Sequence, residues 1–298
     1  MKKNTIFQGI ATALATPMTQ TGVDYEALGR LIDFQLESGI NALVAVGTTG
    51  ESATLTPDER NEIIRFTVER VNGRVPVIAG TGTNNTLHAL QYSKTACEIG
   101  ADALLVVTPY YNYNKSLDSG LLAHFRAIAD SVDKPIILYN VPSRTGCNLL
   151  PATVEKLAEH PNIAAIKEAS GSMSQVVELA ARCGDKLDIY SGEDALTVPI
   201  LSMGGKGAIS VLSNVAPRQT VAMTDAFFAG RLEEAARMQC SFLPLIHDLF
   251  CEANPIPVKA AITAMGFGEE NIRLPLVPMQ AENRQRMLLH MRQLGVNV

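Results

Sequence analysis

The sequence predicts a closed (β/α)₈ TIM barrel followed by a C-terminal helical extension, and three observations support this fold class. Eight short apolar runs are spaced evenly through the first three quarters of the chain. Most are continuously apolar, which is typical of parallel strands buried on both faces. Amphipathic helical stretches separate the runs, and 298 residues are enough for one barrel and additional helices. An open doubly wound sheet is the alternative, but its usual strand count is lower.

Each predicted element has a readable boundary. The strands are residues 9–14, 42–46, 75–79, 103–107, 135–139, 163–166, 187–190 and 207–211. Between the second and third strands, Thr56 is placed to cap a helix, with Pro57 at its first position and Glu59 completing a capping box. After about residue 215 the strand signal stops, and residues 222–230, 232–250, 257–264 and 281–294 read as helices. We therefore expect a barrel in residues 1–230 and an extension in residues 231–298, packed on the side of the barrel.

Composition and charge exclude several classes of function. The net charge is −5, with 25 basic and 30 acidic residues and no block of like charge, which argues against nucleic acid and anionic membranes as partners. The basic start Met1-Lys2-Lys3 is followed by no apolar segment, so no signal peptide is indicated, and no apolar run is long enough to span a membrane. Five scattered cysteines without a C-x-x-C pair argue against a disulfide framework and for a reducing, cytoplasmic compartment.

Lys167 is the main candidate for catalysis. In this fold the active site lies at the carboxyl ends of the strands. Lys167 directly follows the apolar sixth strand, where burial disfavours the charged form of a lysine. A neutral amine can attack a carbonyl group and form a Schiff base. The alternative is an ion pair at the barrel rim, with Glu168 as the partner.

Other polar residues end the neighbouring strands. Tyr139 ends strand five and can move protons at Lys167, unless its hydroxyl merely bonds to a structural partner. Thr48 and Thr49 lie in a glycine-rich turn whose N–H groups and hydroxyls suit a small anion, although such turns are common. Arg144, in a loop stiffened by a proline, can bind a carboxylate in bidentate fashion or be an ordinary solvated arginine.

Neither a metal nor an organic cofactor is expected. The five histidines show no ligand spacing. Gly80 and Gly82 lack the third glycine of a dinucleotide-binding loop. Phosphates often bind after strands seven and eight of a barrel, but here Glu193 and Asp194 occupy the strand-seven loop. Because these carboxylates would repel a phosphate, we expect an unphosphorylated substrate.

Several motifs together resemble the dihydrodipicolinate synthase family, within the N-acetylneuraminate lyase superfamily. The likeness covers essentially the whole chain, and the order and spacing of the motifs are jointly specific, although the Gly-Thr-Thr-Gly-Glu motif alone is shared by sister enzymes. The motifs are Gly47-Thr-Thr-Gly-Glu-Ser52, Thr108-Pro-Tyr-Tyr111, Tyr139-Asn-Val-Pro-Ser-Arg-Thr-Gly146, Ile166-Lys-Glu168 and Asn254-Pro-Ile-Pro-Val-Lys259.

The resemblance implies a condensation of pyruvate with L-aspartate 4-semialdehyde in lysine biosynthesis. It implies that Lys167 forms the Schiff base with pyruvate and that a relay of Tyr139, Thr48 and Tyr111 moves protons, with Tyr111 supplied by a neighbouring subunit. It also implies a homotetramer built from two tight dimers, without an organic cofactor. The substrate-binding residues expected by resemblance are Thr49 for the pyruvate carboxylate, Arg144 for the carboxylate of the semialdehyde, Gly192 and Ile209.

The chain departs from the family pattern in two places. The loop at residues 112–120 is longer than usual and differs in sequence. At the lysine effector site of sensitive members, two histidines and a glutamate are replaced by residues that match Pro57, Arg60 and His88, while Ala53, Asn84 and Tyr110 are retained. Since a cationic lysine would meet Arg60 and lose a carboxylate partner, we expect weak or absent feedback inhibition.

Two other functions remain open from the sequence. A sister pyruvate-dependent aldolase would cleave a sialic acid or a keto-deoxy sugar acid. Arg144 favours the semialdehyde, because this short substrate presents a carboxylate where a sugar presents hydroxyls. A non-catalytic binding barrel is the third possibility, and the joint presence of Lys167, Tyr139, Thr48 and Thr49 argues against it.

Overall fold

The structure, a computed structural model, describes residues 4–114 and 116–298. The basic start Met1-Lys2-Lys3 and Lys115 of the 112–120 loop lie outside the described residues. The strands are β1 (Gly9–Ala13), β2 (Ala42–Ala45), β3 (Val77–Gly80), β4 (Ala103–Val107), β5 (Ile136–Asn140), β6 (Ile163–Glu168), β7 (Asp188–Ser191) and β8 (Gly207–Ser210). The helices are α1 (Tyr25–Glu37), α2 (Pro57–Val71), α3 (Thr86–Ile99), α4 (Ser119–Asp130), α5 (Pro142–Thr145), α6 (Pro151–Ala158), α7 (Met173–Cys183), α8 (Thr197–Ser202), α9 (Pro217–Phe228), α10 (Leu232–Leu249), α11 (Ile256–Ala264) and α12 (Ala281–Gln293).

The strands form a closed parallel barrel in chain order. Closure is made by β1 and β8, where Ile10 pairs with Ala208 and Ala11 with Ile209. The predicted barrel is therefore confirmed, and the open doubly wound sheet is excluded. Only β4 has both of its predicted bounds, and the other strands differ from the prediction by one or two residues at one or both ends. At β3 the strand begins at Val77 instead of residue 75. The reason is Pro76, which has no N–H group to donate to a neighbouring strand.

Side chains alternate between the inside of the barrel and the layer under the helices. One apolar cluster fills the interior and includes Val44, Ile78, Leu105 and Ile137. A larger cluster lies between the strands and the helices and includes Leu43 and Leu104. Because successive strand residues point to opposite faces, this alternation decides which polar side chain at a strand end faces the barrel mouth.

The helix ends follow the local chemistry that the sequence predicts. The hydroxyl of Thr56 accepts from the N–H of Glu59 at 3.2 Å, and the Glu59 carboxylate accepts from the N–H of Thr56 at 2.9 Å. At the other end of α2, Asn72 has a left-handed backbone with φ 48°. The predicted capping box is confirmed, and the left-handed Asn72 ends the helix.

The C-terminal helices pack on the barrel and also reach its mouth. Helix α10 packs against α8 and α9, and α12 packs against α10 and α11. Asp248 joins two of these helices, since it accepts from Arg286 Nε at 2.6 Å and from His290 Nδ1 at 2.5 Å. The connection from α10 to α11 contributes Phe250 and Asn254 to the pocket that contains Lys167. The extension therefore does more than cover the side of the barrel. No helix in the described part of the chain combines the length and apolar character needed to cross a membrane.

Candidate active site

Lys167 lies at the carboxyl end of β6, in a pocket of about 370 Å³ at the barrel mouth. Lys167 lies two positions after Ala165, whose side chain belongs to the interior cluster. Because residues two apart on a strand point to the same face, Lys167 points inward. Lys167 is 5% exposed and forms no ion pair with any residue that the structure describes. Glu168 points to the opposite face, where it accepts from Ser170 N at 2.6 Å and Asn140 Nδ2 at 3.1 Å. The alternative of a rim ion pair between Lys167 and Glu168 is therefore not what the structure contains.

Tyr139 is the strand neighbour of Lys167. The two residues are paired in the register of β5 and β6, and Lys167 Nζ lies 4.2 Å from the centroid of the Tyr139 ring. The ring is buried, and the hydroxyl forms no hydrogen bond with a described residue. A structural partner for this hydroxyl is thus absent from the described part of the chain. The phenol can serve a bound substrate or water beside the amine.

Gly192 leaves the space that the stem of Lys167 occupies. A Cβ atom added at Gly192 would lie 2.9 Å from Lys167 Cγ, 3.0 Å from Lys167 Cε and 2.8 Å from Ala169 Cβ. Gly192 also lines the pocket, and its N–H donates to the Glu168 carbonyl at 2.7 Å. A glycine at this position lets the lysine lie flat against the backbone of β7.

The turn after β2 presents two threonines to two adjoining pockets. Thr49 lines the Lys167 pocket, whereas Thr48 lines a second pocket of about 350 Å³. The N–H groups of Gly50 and Glu51 are used within the turn, donating to Gly47 O at 3.0 Å and Thr48 O at 3.2 Å. Among the described residues, the N–H groups of Thr48 and Thr49 have no acceptor, so these two remain for an anion.

Arg144 and Glu193 provide opposite charges at the Lys167 pocket. Arg144 is exposed on the short helix α5, lines both pockets and forms no ion pair with a described residue. Glu193 is half-buried and lines the Lys167 pocket. Burial, together with the nearby carboxylate of Asp194, raises the pKa of Glu193. A guanidinium and a carboxylate in one pocket suit a substrate that carries both charges.

Asp194 occupies the place where barrels often bind phosphate. Its buried carboxylate accepts from the N–H groups of Val211 and Leu212, both at 2.9 Å. These groups follow β8 and would otherwise face a phosphate. The sequence placed Glu193 and Asp194 together in the site, but only Glu193 lines the pocket. The sequence led us to expect an unphosphorylated substrate because two carboxylates would repel a phosphate. The structure adds a second argument, since Asp194 already uses the N–H groups that a phosphate would need.

The second pocket contains two cations and, among its described lining residues, no carboxylate. Arg60 and Arg144 line it together with Tyr92 and Tyr110. Arg60 is buried, donates to Ser52 O at 2.9 Å and Gly80 O at 2.8 Å, and lies over the Tyr92 ring at 4.3 Å. Burial lowers the pKa of Arg60 below its usual value.

Comparison with known proteins identifies the family. A family model described as the dihydrodipicolinate synthetase family matches residues 6–294. The chain belongs to this family.

Relatives and solved structures in the family are similar over nearly their whole length. A relative from Geobacter sulfurreducens named 4-hydroxy-tetrahydrodipicolinate synthase is 49% identical over 288 residues, covering 97% of this chain and 99% of the relative. One with the same name from Caldicellulosiruptor saccharolyticus is 51% identical over 294 residues, covering 98% and 99%. The crystal structure of dihydrodipicolinate synthase from Aquifex aeolicus superposes with a TM-score of 0.95 at 43% identity, covering 98% of this chain and 99% of that one.

Within one chain, the fold brings together only part of the set of site residues expected by resemblance. Lys167, Tyr139, Thr49, Arg144 and Gly192 share one pocket. Three others lie outside this pocket. Thr48 lines the second pocket, Ile209 is buried in the interior cluster that also contains Tyr139, and Tyr111 is 94% exposed with φ 70°.

Four residues of the C-terminal extension belong to the pocket although the sequence did not predict them. Phe250, Glu252, Ala253 and Asn254 all line the Lys167 pocket, although the sequence separates them from β6 by more than eighty residues. The signal that could have found Asn254 was the motif that starts with this residue, to which no role was assigned. In the described residues, no group of three or more His, Cys, Asp or Glu side chains is arranged to hold a metal ion.

Proposed function

We propose that this chain is a 4-hydroxy-tetrahydrodipicolinate synthase that condenses pyruvate with L-aspartate 4-semialdehyde through a Schiff base on Lys167. The observation that carries the proposal is the buried Lys167, without an ion pair to any described residue, in the pocket that also contains Tyr139, Thr49 and Arg144. Membership of the family and the names of the relatives support the same reaction.

The proposed chemistry begins when the neutral amine of Lys167 attacks the keto carbon of pyruvate. The carbinolamine loses water to give an imine, and loss of a methyl proton gives an enamine. Tyr139, whose ring lies against the amine, is placed to move these protons. The enamine carbon then attacks the aldehyde carbon. Finally, the amino group of the semialdehyde displaces the Lys167 amine, which closes the heterocycle and frees the enzyme.

The charges of the pocket favour an amino-acid aldehyde over a sugar acid. Thr49 supplies an N–H and a hydroxyl for the pyruvate carboxylate. Arg144 suits the carboxylate of the semialdehyde, and Glu193 suits its ammonium group. A sialic acid or keto-deoxy sugar acid would present hydroxyl groups to these two charges. The carboxylate of Asp194 already occupies the N–H groups after β8, which fits an unphosphorylated substrate.

We further propose that a second copy of the chain completes the site with Tyr111. The support is that Tyr111 is almost fully exposed and held at φ 70°, an unfavourable backbone conformation for a residue other than glycine. Thr48 and Tyr110 line the second pocket, which adjoins the Lys167 pocket. We propose that Tyr111 of a second copy reaches Lys167 from this side. The assembly that we propose is a homotetramer of two tight dimers. The five free cysteines of each chain favour a cytoplasmic location.

Turnover and trapping test the proposal in one experiment. Wild type is expected to condense pyruvate with aspartate semialdehyde, and borohydride is expected to fix pyruvate covalently on Lys167. Lys167→Ala should lose both signals, whereas Lys94→Ala, at an exposed position on α3, should keep both. Trapping without condensation, together with cleavage of a sialic or keto-deoxy sugar acid, would assign the chain to a sister lyase. Absence of any trapping would support a binding protein.

A further inference from the structure

The turn that carries Thr48 and Thr49 is held in an unfavourable backbone conformation. Val46 precedes the turn with φ 55°, and Glu51 follows it with φ 58°. Both residues are in the left-handed region of backbone conformation. This region is unfavourable for residues other than glycine, and especially for a β-branched valine. Such a conformation persists only where surrounding contacts determine it. The contacts at this turn therefore identify what positions the threonines.

The contacts come from the C-terminal extension. Glu51 is buried, and its carboxylate pairs with Lys259 Nζ at 2.5 Å and accepts from Arg273 N at 3.2 Å. Asn254, which is 9% exposed, donates from Nδ2 to Thr49 Oγ1 at 3.0 Å. These contacts join residues more than two hundred positions apart, so the extension fixes the turn from outside the barrel.

The bond from Asn254 decides what the Thr49 hydroxyl can do. A hydroxyl has one proton to donate and lone pairs that accept. Because the amide of Asn254 donates to Thr49 Oγ1, the proton of Thr49 is free for a different acceptor. Thr49 lines the Lys167 pocket, where the proposed keto acid places its carboxylate. Among the described residues, Thr49 is the one side-chain hydrogen-bond partner of Asn254, whose Oδ1 has none.

We infer that Asn254 is a positioning residue, which orients Thr49 as a hydrogen-bond donor to the carboxylate of the 2-keto acid. The inference rests on the proposed function, since it needs a keto acid bound at Lys167. It assigns the C-terminal extension a role in substrate binding, and it predicts that changes at Asn254 affect pyruvate and not the aldehyde.

Substitution by aspartate tests the direction of the hydrogen bond. In Asn254→Asp, a carboxylate replaces the donor with nearly the same shape, and it would accept the Thr49 proton that pyruvate needs. We expect the KM for pyruvate to rise at least tenfold, with the KM for aspartate semialdehyde unchanged. Asn254→Ala should raise the pyruvate KM by a smaller factor. Asn271→Ala is the matched control, because this asparagine of the extension donates to Met18 O and lies outside the pocket.

A double variant separates positioning from general loss of structure. Thr49→Val removes the hydroxyl, so adding Asn254→Ala to it should raise the pyruvate KM no further. An additive effect, or a pyruvate KM that stays at the wild-type value in Asn254→Asp, would overturn the inference while leaving the proposed function intact. If wild type itself traps no keto acid on Lys167, the proposed function fails, and the role of Asn254 fails with it.

Discussion

At the scale of single residues, the fold buries two lysines among those it describes and gives them different chemistry. Lys259 is 2% exposed and pairs with Glu51, so its charge is balanced. Lys167 is 5% exposed and has no carboxylate within ion-pair distance in the described chain. Lys167 is the one of the two whose amine lies against the Tyr139 ring in the pocket, where it can reach a bound substrate.

Gly192 gives a prediction at the same scale. In Gly192→Ala, the added methyl would contact the stem of Lys167, which is flexible and can move aside. Overpacking of this kind costs about 1–3 kcal/mol, and here the displaced atoms are those of the nucleophile. We expect borohydride trapping of pyruvate to slow at least tenfold, with a Tm lower by a few degrees. Gly120→Ala, where nothing lies within 4 Å, is the control and should trap at the wild-type rate. An unchanged rate in Gly192→Ala would show that Lys167 needs no space there.

At the scale of elements, helices α2 and α5 supply the charge of the second pocket. Arg60 on α2 lies over Tyr92 on α3, and Arg144 on α5 lines the same pocket. Pro57 begins α2, and His88 on α3 does not line the pocket. Since like charges repel and no carboxylate is present among the described lining residues, the pocket is poorly suited to a cationic amino acid.

The corresponding prediction concerns lysine. We expect lysine at sub-millimolar concentration to leave the initial rate of the purified enzyme unchanged. Arg60→Gln removes one of the two cations and should increase any response to lysine, whereas Arg65→Gln, on the same helix but outside the pocket, should not. Clear inhibition of wild type by sub-millimolar lysine would contradict the argument from charge.

At the scale of the whole molecule, one chain places most of the proposed site in one pocket but leaves Tyr111 outside it. The exposure of the Tyr111 ring and its unfavourable backbone conformation are both explained if a second copy of the chain covers this residue. In a symmetric dimer, each copy would give its Tyr111 to the other. The enzyme would then be active only as an assembly.

Complementation tests this exchange. Lys167→Ala and Tyr111→Ala should each have very low activity alone. Unfolding and refolding the two together should restore about a quarter of the wild-type activity, because half of the dimers are hybrids with one intact site. No recovery in verified hybrids would show that Tyr111 acts within its own chain or not at all. Two different affinity tags on the two variants, with purification through both tags in turn, confirm that hybrids form.

The sequence by itself determined the barrel, because continuous apolar runs and helix caps are local patterns that agree with the global fold. It also determined that Lys167 lies at the carboxyl end of the sixth strand, where the active site of a barrel is found. Tertiary structure decided that Lys167 and not Glu168 faces the barrel mouth, because alternation puts the two on opposite faces and only the strand register fixes which face is which. It also decided that Asn254 bonds to Thr49 across two hundred residues, since no local pattern records a contact between distant segments.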